Sequence, residues 1–526
     1  MSTKKIISGA ILLGLSSLLS RLLGVYRDHL FGVMFGTEGI GVNDIGVYHT
    51  AFRIPDLLYT LLIYGAISSA FIPLFTEYVA NKKEKEGWQF CQNVLNILLL
   101  LLIFIVLIVF IFAPFLIKPF ALGFTGERYD LMISLTRIML LSPIFFGISS
   151  IFQGIQNTFK NFIFYSIAPI IYNLSIICGA LFFAKNYGVY ALAFSVSVGA
   201  FLHMMVQLPQ VIKLGFRYKF CLDFKAKDIK RFFHLIVPRI IGLSVDQLSL
   251  IINFSIATTL SYGATVVLPY AINLQSLPLG LFGIAFAIAS FSTFAELASR
   301  KEFEEVAQTL KTSISHILFL VVPASVGLFI IRFDLIHFIF GGGEFRDSDV
   351  ILTGNTLAFL LIGLSFQALI PLLARVFYSF QDTKTPVFIG FFAILVNLIS
   401  VFIFTKILTM DVIGVAFAIS LSSVFNALGL FIFVKRKLNL RNFLPLLNIF
   451  KILLASILMG IFLFFLYPFI KEVIVFHSEN LNQIINLSFS IVFGIIIYFI
   501  CGFICKIPEI FLLINKVKKM LNDKSF

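Results

Sequence analysis

The sequence predicts an all-α polytopic membrane protein with fourteen transmembrane helices. Hydrophobic residues make up 59% of its 526 residues and charged residues only 13%, against about 25% charged residues in a soluble domain. A soluble chain of this length needs charged surface for several domains, which this composition does not supply. Apolar runs of about 20 residues, the length that crosses a bilayer, recur along the whole chain. Soluble, disordered and fibrous classes are therefore excluded.

The apolar runs are separated by breaks too short to hold a soluble domain. Fourteen of them centre near residues 18, 60, 102, 143, 173, 200, 246, 281, 319, 364, 396, 424, 458 and 494. The first follows Lys4 and Lys5 and starts like a signal peptide. It is longer than the roughly 7–15 apolar residues of such a peptide and has no small-residue cleavage site, so we expect it to remain as the first span.

The loop charges predict the orientation. An even number of spans puts both termini on one side, and 27 of the 40 Lys and Arg residues fall on that side against seven on the other. Basic loops mark the cytoplasmic side. Both termini are therefore predicted to be cytoplasmic. The net charge of +14 faces anionic lipid in this interpretation and does not imply nucleic acid.

The two halves of the chain repeat each other. Thirteen residues separate Lys160 from Asn173 and also Lys384 from Asn397, and Gly-Leu-Ser occurs at 14–16 and again at 242–244. An even number of spans separates the equivalents, so the repeat is parallel, as in transporters that bind substrate between two lobes. We predict an N-lobe at 1–218 (spans 1–6), a C-lobe at 219–440 (spans 7–12), spans 13–14 at 441–510 and a basic cytoplasmic tail at 511–526.

Six arginines fall inside predicted spans. They are Arg21, Arg27, Arg53, Arg137, Arg239 and Arg375. A charge at the bilayer centre costs about 2.5 kcal/mol or more, so it usually faces a cavity or a partner. Arg137 and Arg375 lie near span ends and are predicted to reach the headgroups. Arg21 lies too deep for that.

Acidic and helix-breaking residues accompany these arginines. Arg21 and Asp28 share one face of the first helix, Pro55 interrupts the second span beside Arg53, and Asp246 follows Arg239 by two turns. The planar guanidinium suits phosphate. We therefore predict an anionic substrate, bound by Arg21, Arg27, Arg53, Arg239 and Asn273. The predicted ion-pair or gating residues are Asp28, Asp44 and Asp246.

The sequence contains no recognisable catalytic or cofactor motif. The sequence has no Walker loop, GxSxG or HExxH, and its five cysteines are interpreted as small hydrophobic residues. No His, Cys or Asp cluster has metal-ligand spacing. We expect a transporter rather than an enzyme, without cofactor or metal.

Four sequence blocks carry a family resemblance. SRLLGVYRD (20–28), AFRIPDLLYTLLIYGAISSAFIPLFTEY (51–78), NTFKNF with APIIYNLSII (157–177) and FYSFQDTKTPV (377–387) resemble the MurJ/MviN family. These are lipid II flippases of the multidrug/oligosaccharidyl-lipid/polysaccharide exporter superfamily. The resemblance implies that the protein lies in the bacterial cytoplasmic (inner) membrane. It also implies that lipid II is moved from the inner to the outer leaflet by alternating access, without ATP and with dependence on membrane potential. It also implies that spans 13 and 14 form a groove for the lipid tail.

The resemblance also bears on individual residues. Arg21 and Arg27 match two family arginines, Asp28 and Asp44 match acidic positions, and Arg53 matches a position that is commonly basic. The sequence departs from the family at Tyr59 and Asn273, where relatives often carry Arg. Our hypothesis is that Arg239 replaces the missing charge and is held by Asp246 until substrate enters.

The sequence leaves two other functions open. The first is a flippase or exporter of the same fold that carries another polyprenyl-diphosphate-linked glycan or amphipathic molecule, although the arginine surplus disfavours an organic cation. A membrane enzyme acting on polyprenyl phosphates would need an acidic or histidine-bearing outer loop, which the sequence lacks. The expected partners are lipid II or a related glycolipid, membrane lipids and the cell-wall synthesis machinery.

Overall fold

The computed structural model describes residues 3–64, 67–438, 445–473 and 479–522, and these residues are predominantly helical. The first eleven helices are α1 (Thr3–Phe35), α2 (Ile45–Leu58), α3 (Ile72–Ala80), α4 (Glu84–Ile111), α5 (Ala113–Leu116), α6 (Glu127–Met139), α7 (Leu141–Thr158), α8 (Ile163–Tyr187), α9 (Val189–Met205), α10 (Leu208–Lys213) and α11 (Lys227–Ala257).

The remaining helices are α12 (Ala264–Pro278), α13 (Ala285–Ser299), α14 (Phe303–Phe340), α15 (Asp347–Ser379), α16 (Lys384–Phe402), α17 (Asp411–Lys437), α18 (Leu446–Val473), α19 (Glu479–Ile504) and α20 (Pro508–Asn522). Local sequence explains many of their ends. Glu84 and Glu86 in the first turn of α4, for example, complement the positive end of its dipole.

Membrane-length helices confirm the predicted fold class. Within the described ranges, twelve helices are long and apolar enough to cross a bilayer, the first of them Glu84–Ile111 and the last Leu481–Ile504. They correspond to predicted spans 3–14. The first two predicted spans correspond to α1 and to the interrupted run from α2 to α3. The exact count of fourteen stays a prediction.

Two spans that the sequence repeat pairs, the second and the eighth, are interrupted in the same way. In each, a proline is followed by a π-helical segment, Tyr59–Tyr64 after Pro55 and Leu279–Ile284 after Pro278. Proline removes one backbone hydrogen bond and clashes with the preceding turn. A π-helical turn accommodates such a disruption and is frequent at functional sites. Pro55 predicted the break in the second span, but the π-helical form of that break was not predicted.

The helices group into two compact units. The first contains Met1–Val266 with Ile339–Arg346, and the second contains Val267–Phe338 with Asp347–Phe526. In the first, α8 packs on α1 and α9. In the second, α17 packs on α15 and α16. Helix α11 belongs to the first unit, although the predicted boundary at 218/219 assigns span 7 to the C-lobe. The lobes defined by the repeat therefore stay a prediction.

Glycines allow close helix contacts within each unit. A Cβ built on Gly179 of α8 lies 1.8 Å from the Ser195 hydroxyl of α9, and one on Gly363 of α15 lies 2.6 Å from the Ser420 Cα of α17. Small residues let membrane helices approach this closely. These two contacts fix neighbouring spans at short distance.

Candidate functional site

Arg27 is held on α1 by two neighbours within the first unit. Its Nε and Nη2 donate to Asp28 Oδ1 at 3.0 and 2.8 Å, and its Nη1 donates to Asn173 Oδ1 on α8 at 3.2 Å. Asn173 Nδ2 in turn donates to the Ser20 hydroxyl at 3.1 Å. The guanidinium is therefore fixed between α1 and α8. Asp28 is buried, with 6% of its surface exposed.

Arg53 on α2 is held by an aromatic ring. Its guanidinium carbon lies 3.7 Å from the ring centroid of Phe254 on α11. A small cavity of about 10 Å³ beside it is lined by Arg53, Asp56, Thr50, Gln247 and Phe254, among others. This volume is enough for about one water molecule. Among the described residues, the buried Arg53 Nε has no hydrogen-bond partner. Arg53 therefore keeps one unused N–H donor next to this cavity.

The two arginines lie on one region of the first unit. The Arg27 guanidinium carbon lies 5.8 Å from the ring centroid of Phe31 on α1. The ring of His49, one helical turn before Arg53 on α2, makes an edge contact with that same phenylalanine at 6.2 Å between centroids. Helices α1, α2, α8 and α11 thus bring together two arginines that lie at membrane depth in the sequence.

Asp44 lies apart from these arginines, at the start of α2. One carboxylate oxygen accepts the Val47 backbone N–H at 3.0 Å and caps the helix. The other accepts Arg128 Nε at 2.8 Å and the Tyr262 hydroxyl at 2.7 Å. Burial of Tyr262 and, to a smaller extent, its hydrogen bond to Asp44 raise the pKa of the hydroxyl to about 12. The hydroxyl therefore keeps its proton at neutral pH. Arg128 is one of the seven basic residues predicted to lie on the side opposite the termini, and its pairing with Asp44 has no signal in the sequence.

Three other predicted site residues lie at exposed positions. Arg21 on α1 and Arg239 on α11 have exposed side chains. Asn273 on α12 belongs to the second unit, is exposed, and accepts the Ser276 hydroxyl at its backbone carbonyl at 2.7 Å. The side chain of Asp246 lies outside the described residues, so its pairing with Arg239 remains a prediction.

Tyr59, which stands where relatives often carry Arg, packs against an aromatic ring. Its ring centroid lies 5.1 Å from that of Phe146 on α7. This position therefore contributes to packing within the first unit. In the part of the chain that the structure describes, no group of three or more His, Cys, Asp or Glu side chains has the geometry of a metal site.

Comparison with known protein families gives one consistent match. The family profile "Lipid II flippase MurJ" matches residues 39–482. A curated relative from Burkholderia cenocepacia, "Lipid II flippase MurJ", is 30% identical over 429 residues, covering 80% of this chain and 82% of the relative. A "Probable lipid II flippase MurJ" from Borreliella burgdorferi is 28% identical over 520 residues, covering 97% and 99%.

Solved structures agree with this match. The structure described as "Lipid II flippase MurJ, inward closed conformation" has a TM-score of 0.77 and 27% identity, covering 94% of this chain and 98% of that chain. An inward-facing multidrug resistance MATE family transporter of the MOP superfamily has a TM-score of 0.67 and 15% identity, covering 80% and 94%. At that identity, the second likeness shows the fold alone.

Proposed function

The chain belongs to the MurJ family of lipid II flippases, and on this premise we propose that it moves lipid II across the bacterial cytoplasmic membrane. The translocation uses alternating access and no ATP. The family consists of transporters, and we propose that this chain catalyses no chemical reaction. Lipid II carries a diphosphate between its lipid and its sugar, so the protein must offer a cationic site at membrane depth.

The arrangement of Arg27 is the observation that carries this proposal. A guanidinium has five N–H donors. Asp28 and Asn173 accept three of them in the described structure. One N–H group remains on each terminal nitrogen, and the N–H groups of a planar guanidinium suit the oxygens of a phosphate. Asp28 and Asn173 thereby hold Arg27 for binding without consuming its capacity.

Arg53 supplies the second charge in this proposal. Stacking on Phe254 holds its guanidinium while leaving the N–H edge for hydrogen bonds. A diphosphate with two to three negative charges would then meet two oriented arginines. Arg21, Arg239 and Asn273 are proposed as further substrate contacts. Asp28, Asp44 and Asp246 are proposed to pair or gate these cations.

The orientation and partners are also part of the proposal. The basic loops support cytoplasmic termini. In that orientation, the proposed transport runs from the inner to the outer leaflet. Enzymes that build and consume lipid II act on opposite sides of the membrane, so we propose that the cell-wall synthesis machinery receives the product.

Depletion in cells tests the function directly. When the protein is depleted, lipid II should accumulate in the inner leaflet, out of reach of a membrane-impermeant lipid II-degrading toxin applied outside. Accumulation of a different polyprenyl-diphosphate glycan, with lipid II still accessible outside, would instead favour a flippase of the same fold with another cargo.

A further inference from the structure

The segment between α10 and α11 combines basic and aromatic side chains on its surface. We call residues 214–226 the pinned loop. Arg217, Lys219 and Lys225 are exposed along it. Phe220 is 75% exposed and Phe224 is 53% exposed. Such a combination is typical of a membrane interface, where aromatic rings lie at headgroup level and basic groups meet phosphate.

Three amide side chains of α4 bind the backbone of the pinned loop. Gln92 Nε2 donates to the Arg217 carbonyl at 2.6 Å. Asn93 exchanges two hydrogen bonds with the backbone of Asp223, both 2.8 Å long. The loop therefore has a defined conformation on the surface of α4.

Asn96 binds the tip of the loop. Its Nδ2 donates to the Cys221 carbonyl at 3.0 Å, and its Oδ1 accepts the Tyr218 hydroxyl at 2.9 Å. Asn96 lies twelve residues after Glu84, the start of α4, which is roughly 18 Å along the helix axis. The tip thus extends to the level at which α4 becomes continuously apolar.

The three amides suit a loop whose tip reaches membrane depth. Irregular backbone is tolerated within a membrane only where its polar groups are satisfied by protein or water. Gln92, Asn93 and Asn96 are all buried and satisfy backbone groups of the loop, while Phe220 next to Cys221 points outward. A loop that only marked the cytoplasmic side by charge would need neither this support nor an exposed phenylalanine at its tip.

The base of the loop is anchored in the core of the first unit. Phe216 is 4% exposed. Its ring makes edge contacts with Trp88 of α4 and Phe152 of α7, at 6.1 and 5.8 Å between centroids. Trp88 is the single tryptophan of the chain. A native fluorophore therefore contacts the residue that immediately precedes Arg217.

We propose that the pinned loop is a docking site for anionic phospholipid in the leaflet on the basic side of the protein. Phe220 and Phe224 insert among the acyl chains, while Arg217, Lys219 and Lys225 bind the phosphate groups. The phospholipid is a bound membrane component and not the cargo. The inference therefore stands apart from the proposed function and does not depend on lipid II transport.

Trp88 fluorescence tests this binding in the full-length protein. In neutral detergent, titration with dioleoylphosphatidylglycerol should change the emission saturably, and dioleoylphosphatidylcholine should not. Neutralising the three loop charges together (Arg217→Gln, Lys219→Gln, Lys225→Gln) should weaken the apparent affinity about tenfold or more, because each basic residue contributes to anionic-lipid binding. Added salt should weaken the wild-type response in the same direction.

A matched variant distinguishes the loop from general basic charge. Lys301→Gln, Lys384→Gln and Lys435→Gln together remove the same charge at exposed positions of the second unit and should leave the titration unchanged. An unaltered affinity in the loop variant would overturn the proposal. An equal response to the zwitterionic lipid would also overturn it. A response to undecaprenyl diphosphate without a response to phosphatidylglycerol would overturn it as well, because that result would assign the loop to the cargo.

Depth measurement provides an independent test. A nitroxide is attached through Phe220→Cys in a protein whose five native cysteines are replaced, and the protein is placed in lipid nanodiscs. Molecular oxygen should relax this label more than a water-soluble nickel chelate does, and a label at Lys225→Cys should show the opposite preference. Greater accessibility of position 220 to nickel would contradict insertion of the loop.

Discussion

At Arg27, stability and transport place different demands on one side chain. The guanidinium neutralises Asp28, whose surface is 6% exposed, and it also offers two N–H groups to substrate in our proposal. Removing it leaves a buried carboxylate without its cation, which costs about 3–5 kcal/mol. The loss of function in a single variant would therefore not separate folding from substrate binding.

A double variant separates the two roles. Arg27→Gln should lower the thermal unfolding temperature in detergent because it removes the cation that donates two hydrogen bonds to the buried Asp28 carboxylate. Adding Asp28→Asn should recover most of that loss, since a neutral amide needs no counter-ion. If Arg27→Gln alone unfolds at the wild-type temperature, the ion pair does not stabilise the protein and the structural role assigned to Asp28 is wrong.

The sequence predicted part of this site because some of its signals are local. Charges inside apolar runs identify Arg27, Asp28 and Arg53 without any knowledge of packing. The partners that orient them are distant, however: 146 residues separate Arg27 from Asn173, and 84 separate Arg128 from Asp44. In the sequence, Asn173 stands out only as a marker of the repeat. Which polar side chain meets which arginine depends on helix packing, and hydropathy does not encode it.

At the scale of elements, Asp44 connects three parts of the first unit. It caps α2, pairs with Arg128 of α6 and accepts the hydroxyl of Tyr262 in the segment before α12. Because Asp44 is only 1% exposed, the three parts share one buried anion. Their stability should therefore be coupled.

The coupling predicts an order of effects. Arg128→Gln should cost about 3 kcal/mol because it leaves a buried carboxylate without a cation. Asp44→Asn should cost less, since Asn caps helices about as well as Asp and the partly exposed Arg128 can reach water. Unfolding of both single variants and the double variant gives the interaction energy. Strict additivity would show that the pair is not energetically coupled.

Close helix contact predicts a second effect at this scale. Gly179→Ala places a methyl group against the Ser195 side chain, so α8 and α9 must separate, at a cost of about 1–3 kcal/mol. Gly327→Ala in α14 is the control, because nothing lies within 4 Å of its Cβ, and it should be neutral or stabilise by about 0.5–1 kcal/mol. Equal thermal stability of the two variants would refute the packing argument.

The position of the spans was predictable and their internal form was not. Hydropathy located the runs that became α4 to α19, because apolar length is a property of the sequence itself. The π-helical segments after Pro55 and Pro278 depend on how neighbouring helices accommodate the backbone hydrogen bonds that each proline disrupts. The two lobes inferred from the repeat stay a prediction, and α11 belongs to the first compact unit although the sequence assigned it to the second half.

For the whole molecule, the charge distribution predicts the topology. A fluorescent protein that folds only in the cytoplasm should be bright when fused after Phe526, and alkaline phosphatase at the same place should be inactive. Both outcomes follow from the excess of basic residues on the side of the termini. An active phosphatase fusion would reverse the orientation or change the span count, and with it the proposed direction of transport.

The most direct measurement is lipid II translocation by purified protein in liposomes. Wild-type protein should expose lipid II that was initially shielded, as measured by an impermeant reagent. The Arg27→Gln/Asp28→Asn variant, folded but without the guanidinium, should lose at least about tenfold in rate, the equivalent of 1.4 kcal/mol. Arg137→Ala, which changes an arginine near a span end, should transport nearly as wild type. Wild-type transport by the double variant would contradict the claim that Arg27 binds the diphosphate.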